Sequence, residues 1–189
     1  MDAIAKHEQD LSALTLKAAI IYDDFDFAAR AAALLERVAI HSDKVVKWDV
    51  KPWRLGVLKS SILANAALDE TADADLIMVA LCKIHSTPTE LTDWVESWAT
   101  KRQIADAAVM VLCPEDNAAP TPLWRELKGF AERHGLPFLG RHIWGDDEDS
   151  TNFIINRLWQ QKHPPQPVVS KLELSAESSR SPRHWGINE

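Results

Sequence analysis

The stretch Asp75-Leu76-Ile77-Met78-Val79-Ala80-Leu81-Cys82 decides the fold. Six consecutive apolar residues, Leu76 to Leu81, show no alternation. A strand with one wet face alternates; a strand covered by helices on both faces does not. Ala72-Asp73-Ala74-Asp75 leads into the run, and a polar loop from Lys83 to Thr87 follows it. A second run, Ala107-Ala108-Val109-Met110-Val111-Leu112-Cys113-Pro114, has the same form. Two all-apolar strands, each followed by a helical pattern, predict a doubly wound α/β architecture.

Working outward, Lys17-Ala18-Ala19-Ile20-Ile21-Tyr22 reads as the first strand. An alanine-rich helix follows from about Phe27 to Val38, with Asp26 as its N-cap. Val45-Val46-Lys47-Trp48-Asp49-Val50 alternates more, which suits an edge strand ended by Pro52. A helix over about Leu55 to Leu68 then returns the chain to the central run. Thr87-Pro88-Thr89-Glu90 has capping-box form, and Leu91, Trp94, Val95 and Trp98 recur at helical spacing behind it. Thr121-Pro122 starts a further helix that Gly135 stops, and Pro137 to Ile143 is a fifth, shorter strand. Ser150 caps a final helix through Phe153, Ile154, Leu158 and Trp159. The polar second strand belongs at an edge and the apolar first and third belong inside. The order 2-1-3-4-5 meets both conditions with right-handed crossovers, giving a three-layer sheet of five parallel strands. Residues 1–16 read as a leader, 17–162 as the α/β domain, and 163–189 as an extended Pro/Ser-rich tail.

Composition narrows the partners. The chain has 189 residues, 46% hydrophobic, with a net charge of −7. That balance argues against nucleic acid, and no apolar run reaches the ~20 residues of a membrane span. Met1 to Asp10 carries charge and no apolar segment, so no signal peptide is expected and the expected location is cytoplasmic. Two cysteines, both in predicted strands, do not make a disulfide scaffold. Eight tryptophans mostly suit the core; Trp124, at a helix start, and Trp144 and Trp185, in loop and tail, are the candidate anchors for a protein partner. The tail ends Arg183-His184-Trp185-Gly186-Ile187-Asn188-Glu189, either loosely attached or a docking motif. A homodimer is also compatible with the sequence.

Ligands of open α/β sheets sit outside the carboxyl ends of the strands, where strand order reverses. Here that is between strands one and three. The residues delivered there are Asp23, Asp24, Cys82, His85, Ser86, Cys113 and Arg141, with Lys83, Glu115 and His142 close by in sequence. Asp23 and Asp24 are oxygen donors of the kind Mg²⁺ takes, but a third such ligand cannot be named, and helix capping is the plainer use. Cys82 and Cys113 end adjacent strands, which in parallel pairing lie ~4.8 Å apart. They read as small buried hydrophobes, as a redox or soft-metal pair with His85, or as a nucleophile. No CxxC spacing supports the metal.

Five βα units with an acidic pair after strand one resemble a response-regulator receiver domain of flavodoxin-like topology, over about residues 17–160. The resemblance implies an Mg²⁺ pair at Asp23 and Asp24, a phosphorylated aspartate ending strand three, a Thr or Ser ending strand four and a Lys ending strand five. This chain has Cys82, Cys113 and Arg141 at those last three places. Without the acceptor carboxylate no aspartyl phosphate forms. Val46-Lys47-Trp48-Asp49, followed later by Trp124-Arg125-Glu126-Leu127, is also similar to TIR domains, whose W-x-x-E-L-like helix carries a glutamate; here that motif sits after strand four, one unit later than expected.

Other motifs are missing. There is no GxxxxGK[ST], no GxGxxG after a strand, no GxSxG, and no helix-turn-helix unit is read after the α/β domain. The first loop, Asp23-Asp24-Phe25-Asp26-Phe27, has neither glycine nor hydroxyl to cradle a phosphate, which argues against FMN and dinucleotides at the usual place. The sequence alone therefore leads to a non-enzymatic regulatory or protein-interaction module of receiver-like fold, with no cofactor. The alternative is a small ligand-binding protein or enzyme that uses the strand-end crevice.

Overall fold

A computed structural model describes residues 14–40, 45–82, 86–112 and 121–139 of the chain. In chain order these form β1 (Leu14–Tyr22), α1 (Phe25–Ile40), β2 (Val46–Arg54), a 3₁₀ turn (Leu55–Lys59), α2 (Ser61–Thr71), β3 (Leu76–Ala80), α3 (Thr89–Lys101), β4 (Ala108–Leu112), α4 (Pro122–Arg133) and β5 (Phe138–Leu139). The sheet order is β2-β1-β3-β4-β5, with every pairing parallel. This is the flavodoxin-like order read from the sequence.

Both faces of the sheet are covered, which explains the unbroken apolar runs. Every residue of β3 and β4 is buried. Ala19, Ile21, Ile77, Val79, Val109 and Val111 pack under α2, α3 and α4. Ala18, Ile20, Tyr22, Leu76, Met78 and Met110 belong to the opposite core, with Phe27, Ala31, Leu34, Leu35 and Val38 of α1. Each such large side chain contributes ~1.5–3 kcal/mol by leaving water. Trp94 and Trp98 are core residues, as their stripe predicts. Trp98 is fully buried and donates its indole N–H to Thr71 O at 2.9 Å; Trp94 donates to Ala64 O at 3.3 Å.

Several boundaries differ from the sequence reading. The first strand begins at Leu14, because Leu14 and Leu16 are buried while Thr15 and Lys17 are not. Pro52 does not end β2; it pairs opposite Ile20, and an edge strand tolerates its missing N–H. The helix expected from Leu55 is a 3₁₀ turn followed by α2. Three residues per turn put Leu55 and Leu58 on one side, and both are buried. The capping box at Thr87 is not made: α3 starts at Thr89 without a side-chain cap. The cap at Thr121 is made, its hydroxyl accepting from Trp124 N at 3.2 Å, and Gly135 ends α4 with φ +65°. The final helix near Ser150, most of the fifth strand as read, and the tail lie outside the described residues.

Candidate functional site

The strands finish flush at one end of the sheet. Tyr22 of β1 pairs with Arg54 of β2 and with Ala80 of β3, and Ala80 pairs with Leu112 of β4. α1 packs on one face of the sheet and α3 on the other, the arrangement that in sheets of this order places ligands between β1 and β3.

On the β3 side the β1–α1 and β3–α3 loops are tied together. Cys82 N donates to Asp23 Oδ1 at 2.9 Å. The strand ladder stops at Ala80, Leu81 is the last buried residue, and Cys82 stands beyond it as an exposed free thiol. The expectation of a buried cysteine inside the strand is therefore corrected for Cys82. Ser86 is also exposed. His85, Cys113 and Arg141, with Glu115 and His142, lie outside the described residues.

Asp24 has a different task. Its Oδ1 accepts from Asp26 N at 2.8 Å and Phe27 N at 3.4 Å, and its carbonyl accepts from Ala28 N at 3.0 Å. Asp24, not Asp26, is thus the cap of α1: it precedes the first helical residue and faces the second and third amides. Asp26 sits in the first turn, where a negative charge favours the helix dipole. Among the described residues no group of three His, Cys, Asp or Glu side chains could hold a metal ion.

On the β2 side lies a feature the sequence reading passed over. Phe25 is 68% exposed, although it opens α1, whose Phe27, Leu34, Leu35 and Val38 fill the core on that face. Its ring is 5.4 Å from that of Tyr22, and the Arg54 guanidinium lies 5.9 Å from its centroid. Its place directly after the acidic pair was the available signal.

The opposite end of the sheet is closed by charge. Asp75, 3% exposed, accepts from Lys17 N at 2.8 Å through its carboxylate. Its own N–H donates to Lys17 O at 2.8 Å, and its carbonyl accepts from Ala108 N at 2.8 Å. The Lys17 ammonium pairs with Asp73, a hydrogen bond that raises the lysine above its ordinary pKa. A cavity of about 300 Å³ opens here, lined by Lys17, Asp49, Lys51, Glu70 and Asp73 among others. Lys51 bridges Asp49 at 3.5 Å and Glu70 at 3.7 Å, and the lining as a whole keeps an acidic surplus. A second hollow of about 360 Å³ lies between α1 and β2, against Leu35, Ile40, Val46 and Trp48. Neither lies at the carboxyl ends of the strands, where sheets of this order gather ligands.

Of the proposed partner anchors, Trp124 is half-buried, edge-on to Phe138 at 5.3 Å with the Lys128 ammonium 5.2 Å from its centroid. Trp144 and Trp185 lie outside the described residues. Glu126 accepts from Thr92 Oγ1 at 3.0 Å and joins α4 to α3. Nearby, Arg133 and His134 donate to Glu96. Burial alone would push the Glu96 carboxyl up, but those two partners hold it below its ordinary range. No described helix is long and apolar enough to cross a membrane.

No protein-family model and no curated protein matches the sequence. Among solved structures, the chain is similar to the flavoenzyme NAD(P)H:(acceptor) oxidoreductase FerB from Paracoccus denitrificans, at 10% identity and TM-score 0.48, covering 78% of this chain and 97% of that one. It is also similar to an FMN-dependent NADH-azoreductase from Bacillus anthracis, solved with FMN, at 12% identity and TM-score 0.41, covering 78% and 98%. Both are named as oxidoreductases using a flavin, and neither as a receiver. Those descriptions run against the expectation of a non-enzymatic, receiver-like regulatory module without a cofactor, which is not carried further.

Proposed function

We propose that the chain is a small ligand-binding protein or enzyme that works through the crevice at the carboxyl ends of β1, β3 and β4. The observation that carries this reading is the bond from Cys82 N to Asp23 Oδ1. It joins the two loops that part at the strand-order reversal, and so makes one rim of them. It also fixes the backbone from which the Cys82 thiol is presented. In this reading Asp23 positions that turn, Cys82 borders the ligand, and His85, Ser86, Cys113 and Arg141 are the further candidates around it.

A flavin is the first cofactor to test, since both neighbours are described with one. The residues present do not fit the phosphate of FMN at the amino end of α1. The amides that would receive it are taken by Asp24, and Asp23 and Asp26 add charge of the same sign. No chemical step is therefore derived through FMN.

The test is a melting-temperature screen against small molecules, run with Cys82 free and with Cys82 alkylated. A ligand present at about 100 times its Kd adds ~2.7 kcal/mol, a shift of several degrees. Shifts that vanish on alkylation support the crevice. Shifts that survive it unchanged, for every ligand found, put binding elsewhere and sink the reading.

A further inference from the structure

We propose that the crevice, on its β2 flank where Phe25 and Arg54 stand, takes a flat aromatic ligand that carries no phosphate, stacked on Phe25 beside Arg54, with the Asp24 carboxylate holding the amides that a nucleotide's phosphate would need. This rests on the crevice reading and names its ligand class. Two independent features of the rim lead to it.

The first is electrostatic. In sheets of this kind the amino end of the first helix is the natural anion site, because its free amides and dipole point at the ligand. Here an internal anion fills that place: Asp24 Oδ1 accepts from both Asp26 N and Phe27 N. A phosphate would have to displace a carboxylate that is covalently held in position. It would also meet Asp23 and Asp26 within the same four residues. At contact distance each like charge weakens an anion by about tenfold or more.

The second is the exposed ring. Phe25 and Phe27 stand two residues apart on α1, yet Phe27 is 7% exposed and Phe25 is 68% exposed. Phe27 fills the core; Phe25 does not. Other large apolar residues, Ile40 and Ile62 among them, are also exposed, so exposure alone says little. What separates Phe25 is its place at the ligand-gathering end of the sheet, between the Tyr22 ring and the Arg54 guanidinium. Aromatic faces and a guanidinium plane together accept another flat ring, and they do so without reading its substituents closely.

The experiment is an equilibrium titration of the full chain with two matched pairs of probes: riboflavin against FMN, and adenosine against AMP. At least one ring without phosphate binds saturably, and its phosphorylated partner binds about tenfold more weakly or worse. In Asp24→Ser the hydroxyl still caps α1 while the charge is gone, so the gap within the pair narrows. In Phe25→Ala the unphosphorylated ring loses about tenfold in affinity, with the melting temperature unchanged. Three results overturn the inference: a phosphorylated probe that binds as tightly as its partner, ring binding indifferent to Phe25→Ala, or no binding of either ring. The last leaves the crevice reading standing wherever the alkylation-sensitive shifts above are found, and takes it down where they are not.

Discussion

Two aspartates tie β1 to β3, one at each end of the sheet, and they do opposite things. Asp75 is buried and bonded through its carboxylate, its N–H and its carbonyl, to β1 on one side and β4 on the other. Asp23 stands at the rim and reaches from the β1 loop to the Cys82 amide, beside an exposed thiol. The same residue type makes a seam at one end and a mouth at the other. Burial separates them: a carboxylate bonded deep within the fold holds strands together, while one at the rim holds a turn that solvent can reach.

The contrast can be broken by substitution. Asp75→Ala leaves the Lys17 amide without that acceptor and is expected to cost about 2–3 kcal/mol, read from urea denaturation, with Asp75→Asn costing less. A loss for Asp75→Ala no greater than for Asp23→Ala would erase the distinction. Asp23→Ala is expected to cost under ~1 kcal/mol, since its bond is exposed, but to change the alkylation rate of Cys82, measured by mass spectrometry. An unchanged rate would mean that Asp23 does not hold that turn.

The α3–α4 surface has a pH dependence of its own, through Glu96. The Glu96 carboxyl is lowered from its ordinary value of 4.5. A lowered acid stabilises fully above that value and loses its contribution as pH falls through the lower folded one. Glu96 is 39% exposed, so solvent screening keeps the effect below ~1 kcal/mol. Melting curves of Glu96→Gln should therefore lack a small acid-side loss that the parent shows. Lys17 has the opposite sign: raised from 10.5, its support is complete below that pH and is lost above it. Smallest of all is Phe25→Ala, expected within ~0.5 kcal/mol of the parent in stability. A larger loss would make Phe25 a packing residue and remove it from the rim.

Much of the frame was legible because burial leaves a plain signature. Two-sided burial writes unbroken apolar runs, which gave β3, β4 and the strand order. The stripe of Leu91, Trp94, Val95 and Trp98 named the buried face of α3. Local competition was harder to read. Asp23, Asp24 and Asp26 are all plausible caps, and only the path of the backbone selects Asp24. Pro52 reads as a stop until its strand is known to be at an edge. Asp75 looked like punctuation before a strand, since a carboxylate's reach to a residue 58 positions away has no sequence period. Of the seven candidate crevice residues, the structure brings Asp23 and Cys82 into contact and gives Asp24 to α1. Phe25 and Arg54 were missed because their meaning depends on which strand ends lie side by side.

One consequence concerns the overhang of β1. Residues Leu14 to Lys17 pair with β2, while β3 pairs with β1 only from Ala18 onward. An open strand edge is a template for another chain, and Lys17 stands on such an edge. Asp75 supplies both an acceptor to its N–H and a donor to its C=O, so one residue stands in for a missing strand. The charged Lys17–Asp73 pair lies over the same spot. The seam is therefore also a guard: without the Asp75 carboxylate, the Lys17 N–H would be open to a strand from a neighbouring chain.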